Sequence, residues 1–143
     1  MLWVKTFFGI LFQTILLGIF LYLPALTLNW SDAFLLLTIH FLMTILASAY
    51  LLIVKPESIE ARMNYDSKTQ PKEDRLATAL MFSAIFVGLS LAPIDIFHLN
   101  LSSSFEGSIK NIGLAIYIIG MLLFMASINA NEFAETTVNI QEE

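Results

Sequence analysis

The chain has 143 residues, 57% hydrophobic and 13% charged, whereas a soluble domain carries about 25% charge. With a mean hydropathy of +0.77 there is too little polar side chain to coat a water-facing globule, and a net charge of −5 leaves no basic stripe for nucleic acid. Cysteine is absent, which excludes disulfide scaffolds, thiolate zinc sites and thiol redox enzymes, among them membrane proteins that pass disulfides to quinone.

Crossing the hydrocarbon core as a helix takes about 20 apolar residues, and four segments qualify. Phe7 to Leu26 is the first, with Gln13 and Thr14 as its strongly polar members. Its apolar run exceeds the roughly 7 to 15 residues of a signal-peptide core. No small-x-small site follows at Tyr22-Leu23-Pro24-Ala25-Leu26, so a retained helix is expected. Asn29, Trp30 and Ser31 separate it from Ala33 to Val54, the second span. Ser31 is expected to cap that span, with Asp32 in its first turn facing the positive dipole end. Pro56 ends it, because the residue before a proline is driven out of α geometry.

The segment 55–75 between the second and third spans is the most polar part of the interior. Pro56-Glu57-Ser58-Ile59-Glu60-Ala61-Arg62-Met63 reads as a short helix, with Pro56 at the first position and Glu57 at the dipole. Ile59 and Met63 share one face, while Glu57, Glu60 and Arg62 are expected to point to water or headgroups on a helix lying along the inner leaflet. These three are the candidate functional residues of the loop. Glu57 and Glu60 have too few companion ligands to make a metal site. Asn64-Tyr65-Asp66-Ser67 reads as a turn.

Asp74 is expected to cap the third span, Leu76 to Ile94. The fourth is Ile112 to Ile128, extended by a turn to about 109. A polar, acidic tail, 129–143, follows. None of the four cores holds Asp, Glu, Lys or Arg, each of which costs about 2.5 to 3.5 kcal/mol at mid-span. Trp3 and Trp30 bracket the first span as interface anchors.

Charge sets the orientation. Lys55, Arg62, Lys68, Lys72 and Arg75 lie between spans two and three, and Lys5 precedes span one, on the same side after two crossings. Only Lys110 falls opposite. Six against one predicts both termini and the middle loop in the cytoplasm. The expected architecture is therefore one all-α, polytopic membrane domain, N-in and C-in, in contact with membrane lipid.

Lipid supplies no hydrophobic drive between helices, so small residues that permit close approach matter. Ala84, Gly88 and Ala92 form one such face on span three, and Gly113, Gly120 and Ser127 another on span four. The two faces are expected to meet inside the monomer, where leucine at Gly88 or Gly120 overpacks. A homo-oligomer contact or a cofactor groove is the alternative use. Spans one and two, and spans three and four, are expected to be antiparallel neighbours. His40 could act as a relay or ligand, but without a carboxylate at helical spacing it reads as a buried histidine bonded to a backbone carbonyl or to Thr44. Gln13 and Thr14 read as interhelical hydrogen bonds.

Two stretches resemble the isoprenylcysteine carboxyl methyltransferase family of membrane methyltransferases, in its bacterial branch. Pro56-Glu57-Ser58-Ile59-Glu60-Ala61-Arg62-Met63, followed by Lys72-Glu73-Asp74-Arg75, is similar to the family's Pro-Glu-Leu-Leu-Ala-Glu-Arg segment and the Lys-Trp-Asp-Lys-like start of its next helix. Gly113 and Gly120, with Asn131-Glu132-Phe133 and Val138-Asn139-Ile140-Gln141, resemble a glycine-bearing helix that leads to an Asn-x-Phe-Phe and Val-x-Ile-Gln exit. Asn131, Phe133 and Gln141 are thus candidate exit-segment residues. Glu73 departs from the family's tryptophan, and Ile94-Asp95-Ile96-Phe97 lacks an arginine that often follows the aspartate.

The resemblance covers nearly all of the chain and implies a bacterial inner-membrane protein. It implies S-adenosylmethionine for the complete family. The family's cofactor motifs, including Arg-His-Pro-x-Tyr, follow the Val-x-Ile-Gln segment, and no His-Pro pair occurs here. No catalytic or cofactor residue carries over. The expectation is the membrane-embedded front half of such an enzyme, inactive alone and completed by a separate C-terminal half. The competing expectation is a stand-alone small membrane protein with a structural or partner-binding role. A proton-coupled exporter is disfavoured because no span holds a carboxylate.

Overall fold

The computed structural model describes residues 1–63, 72–101 and 107–130, and helices take up 92% of them, with no strand among them. In chain order these are α1 (Leu2–Ala25), α2 (Ser31–Val54), a short α3 (Pro56–Met63), α4 (Lys72–Ile94) continued by a π-helical turn (Asp95–Leu99), and α5 (Gly107–Ala130). Four of them, α1, α2, α4 with its π turn, and α5, are long and apolar enough to cross a membrane.

α1 and α2 form the central antiparallel pair. α4 packs on α1, and α5 packs on α2. α4 and α5 are therefore not neighbours, which corrects the pairing expected from their short connection. A short connection fixes which ends lie close, not which flank a helix takes. Here polar bonds decide the flank, because in lipid they are among the few forces that distinguish one apolar face from another. α5 has three bonds to α2 or its cap. Lys110 Nζ lies 2.5 Å from Asp32 Oδ2, the Tyr117 hydroxyl lies 2.6 Å from His40 Nδ1, and Lys55 Nζ donates to the Asn129 carbonyl at 2.7 Å. No residue of α5 is buried.

α4 is seated by aromatic stacking. The rings of Phe20 and Phe86 are parallel with centroids 4.2 Å apart. Ser90 Oγ donates to the Phe20 carbonyl at 3.3 Å. Pro24 explains that bond: a proline inside a helix has no N–H for the carbonyl four residues back, which in α1 is that of Phe20. Leu26 then closes α1 in the left-handed region, φ 55°, and its N–H bonds back to the Tyr22 and Leu23 carbonyls. His98 Nε2–H reaches across from the π turn to the Pro24 carbonyl at 2.6 Å.

The π turn follows Pro93, which is inside α4 and fully buried. With one ladder bond already missing, the helix widens over the next five residues and stops at Asn100 in the left-handed region. The Asn100 N–H bonds to the Asp95 carbonyl at 2.7 Å, and the Leu101 N–H to Asp95 Oδ1 at 2.8 Å.

Three local expectations are corrected. The N-cap of α2 is Trp30, and no side chain caps it. Ser31 is already helical, and Asp32 turns to Lys110 instead. α4 starts at Lys72, so Asp74 sits in its first turn and is not its cap. Thr14 donates to the Ile10 carbonyl of its own helix, 2.8 Å away, not to a neighbouring one.

Candidate functional site

The two ends of the bundle are chemically distinct. At the Lys55 end, Pro56 breaks α2 and restarts the chain as α3, which folds back beneath the spans. Ile59 packs with Leu51 and Leu52 in a buried cluster, and Leu2 and Ile128 lie against it. Ser58 is buried and Met63 is within 3.7 Å of the Thr6 hydroxyl. Of the apolar face of α3, Ile59 is thus covered by protein while Met63 stays exposed.

Of the three loop candidates, Glu57 and Glu60 are exposed. Arg62 is not: its Nε and Nη2 are shut off from solvent. Two carboxylates face outward and the guanidinium is tucked in. No group of histidines, aspartates and glutamates able to hold a metal ion occurs among the described residues. Asn131, Phe133 and Gln141, like the turn at 64–67, lie outside the described residues.

Midway along the bundle, three helices meet at one polar point. His40 of α2 is buried. Gln13 Nε2 of α1 lies 3.4 Å from His40 Nε2. Tyr117 of α5 is on the other ring nitrogen. With Gln13 donating to Nε2, the ring proton sits on Nδ1 and is donated to the Tyr117 oxygen. Thr44 bonds to the backbone carbonyl of His40 at 2.8 Å, so the expected side-chain partner of the imidazole is replaced by two residues from other helices. Gln13 makes the interhelical bond expected of it. Tyr117 was overlooked, though a tyrosine at mid-span, away from the interface belts where such rings gather, is itself a sign that its hydroxyl has a buried partner.

At the Asp32 end, the gap between α4 and α5 opens into two grooves. One, of about 490 Å³, runs between α4 and α2 over Leu21 of α1, with Ala84, Gly88 and Ala92 along one wall. The other, of about 450 Å³, runs between α2 and α5, with Gly113 and Leu114 on one side and Ile96 of the π turn at its edge. Trp30, Asp32 and Leu36 line both. The small-residue faces therefore do not meet each other. A side chain grown from Gly88, Gly113 or Gly120 has nothing within 4 Å at its first atom.

Trp30, the ridge between the grooves, is held by neighbours on both sides. Its ring meets Phe97 edge to face at 5.3 Å. The Tyr22 hydroxyl donates to its carbonyl at 3.2 Å.

Comparison with protein-family models, with curated proteins and with solved structures finds no match to this chain.

Proposed function

We propose that this chain is the membrane-embedded front half of an isoprenylcysteine carboxyl methyltransferase-like protein, multi-pass in a bacterial inner membrane with both ends cytoplasmic, and that it frames the lipid-facing side of a methyl-transfer site. The observation that carries the reading is α3. The segment that resembles the family's Pro-Glu-Leu-Leu-Ala-Glu-Arg stretch is a discrete helix clamped under the spans, with Glu57 and Glu60 turned outward. Those carboxylates suit the rim of a site for a cationic sulfonium.

The cofactor itself needs more. S-adenosylmethionine carries an adenine, a ribose and an amino acid, and a pocket for it requires several placed polar groups around an enclosed volume. The grooves at the Asp32 end have mainly apolar linings and lie at the far end from α3. Binding and catalysis are therefore assigned to a partner segment supplied after the Val138-Asn139-Ile140-Gln141 stretch.

Two measurements test this. The DNA that follows codon 143 is expected to encode an Arg-His-Pro-x-Tyr segment, in frame or as a neighbouring frame. Calorimetric titration of the purified 143-residue chain with S-adenosylmethionine is expected to give no saturable heat. Saturable micromolar binding by this chain alone overturns the division of labour and makes α3 a true site.

A second reading has one observation in its favour. α5 is held to one neighbour by polar bonds and buries no residue, as in a helix that awaits a protein partner. In that case the chain is a stand-alone membrane protein with a structural or partner-binding role.

A further inference from the structure

We propose that the Asp32 end of the bundle is a binding site for one two-chain, zwitterionic phospholipid, with its headgroup on the Asp32–Lys110 pair and one acyl chain in each of the two grooves. The inference does not depend on the methyltransferase reading.

Two grooves of similar size, about 490 and 450 Å³, diverge from a common ridge made by Trp30, Asp32 and Leu36. Each is within the range of about 300 to 1,000 Å³ typical of small-molecule sites. Both run from the ends of the spans toward mid-membrane. A helix from a second copy fills one groove and leaves the other open. A single-chain amphiphile does the same. A molecule with two tails joined at a head occupies both.

Charge selects the head. Among the described residues that line the grooves there is one anion, Asp32, shared by both, and one cation, Lys110, in the α2–α5 groove. They lie 2.5 Å apart and are each about half exposed, at 51% and 52%. Lysine has three donors and a carboxylate about four acceptor sites, so each keeps capacity after making the pair. A phosphate beside Lys110 and an ammonium beside Asp32 extend the pair into a four-charge cluster of alternating sign. A purely anionic head meets Asp32, and a purely cationic one meets Lys110. The pair also lies in the first turns of α2 and α5, the ends of two spans, where a headgroup would meet it.

The lower part of the α2–α5 groove reinforces the assignment. Tyr117 lines it, and in the tautomer that carries the proton on His40 Nδ1 its hydroxyl proton remains for a further acceptor. The glycerol ester carbonyls of a phospholipid are acceptors and have no donors.

The test is native mass spectrometry of the full chain, purified in detergent, with dioleoylphosphatidylethanolamine, dioleoylphosphatidylglycerol and the single-chain lyso form of the former as probes. One dioleoylphosphatidylethanolamine per chain is expected to survive, in preference to both other probes. Gly88→Leu fills one groove and Gly113→Leu the other. Each is expected to weaken retention at least about tenfold, close to 1.4 kcal/mol. Gly9→Leu, where an added atom also meets nothing within 4 Å but which lines neither groove, is expected to leave it unchanged. Asp32→Asn is expected to shift the preference toward the anionic lipid.

Equal retention of the lyso form overturns the two-groove assignment. So does retention unaffected by both leucine variants in chains that melt as the wild type does. A wild-type preference for the anionic lipid overturns the headgroup assignment. Dimers that exclude lipid hand the grooves to a second copy.

Discussion

Ser90 on α4 supplies the hydrogen bond that Pro24 denies to the Phe20 carbonyl on α1. Ser90→Ala is expected to cost about 0.6 kcal/mol, the average for interhelical bonds in membranes, and at most about 1.7. In a Pro24→Ala background residue 24 regains an N–H, and the Phe20 carbonyl a helical donor. The serine substitution should then cost less. A double-mutant cycle in detergent measures the coupling. Equal costs in both backgrounds would falsify the compensation.

The His40 junction joins three helices through two bonds, so its parts should be unequal. Tyr117→Phe removes one hydroxyl and is expected to destabilise by about 1 kcal/mol. His40→Leu takes the partner from both Gln13 and the half-buried Tyr117 and should cost more than Tyr117→Phe, since a polar group left without a partner away from water costs about 1 to 3 kcal/mol. Thermal unfolding of the purified variants checks the ranking. If Tyr117→Phe unfolds at the wild-type temperature, α5 is not held at this point.

Gly88→Leu and Gly120→Leu give a prediction opposite to the one that spacing encourages. Overpacking in a closed interface costs about 1 to 3 kcal/mol. Both positions open onto free space instead, so both variants should lie within about 0.5 kcal/mol of wild type, as substitutions away from packed features do. Loss of more than that in detergent means the helices close over these positions.

Topology is accessible to reporter fusions. Fusions after Asp66 and after Glu143 should read cytoplasmic, and a fusion after Ser103 external, from the six-to-one bias of basic residues. The pairing of Lys110 with Asp32 fits this assignment, since it neutralises the one basic residue left on the far side. An external reading at Asp66 inverts the whole arrangement.

Hydropathy made the four spans and the Pro56 break legible, because chain length per crossing and proline sterics are local properties. Neighbour choice was not legible for the opposite reason. α4 and α5 are apolar around much of their circumference, so no stripe in Leu76 to Ile94 or Ile112 to Ile128 marks a preferred flank. The deciding bonds join residues 70 or more positions apart: Ser90 to Phe20, Tyr117 to His40 and Lys55 to Asn129. Among the loop candidates, the outward carboxylates of Glu57 and Glu60 could be read from helical spacing. The inward turn of Arg62 could not, because it follows from α3 folding back against Leu51 and Leu52 under the bundle.

The three bonds of α5 fall at three depths, and together they act as a gauge. Apolar side chains against lipid tolerate a helix that slides or rotates, because each new contact is as good as the last. Bonds at Lys110, Tyr117 and Asn129 do not. A slip of one turn, about 5.4 Å, takes all of them out of reach at once. α5 can therefore have a smooth, unburied surface and still sit at one height and one rotation. The face it turns to lipid is left free to change in sequence, provided it stays apolar, without disturbing the register of the helix.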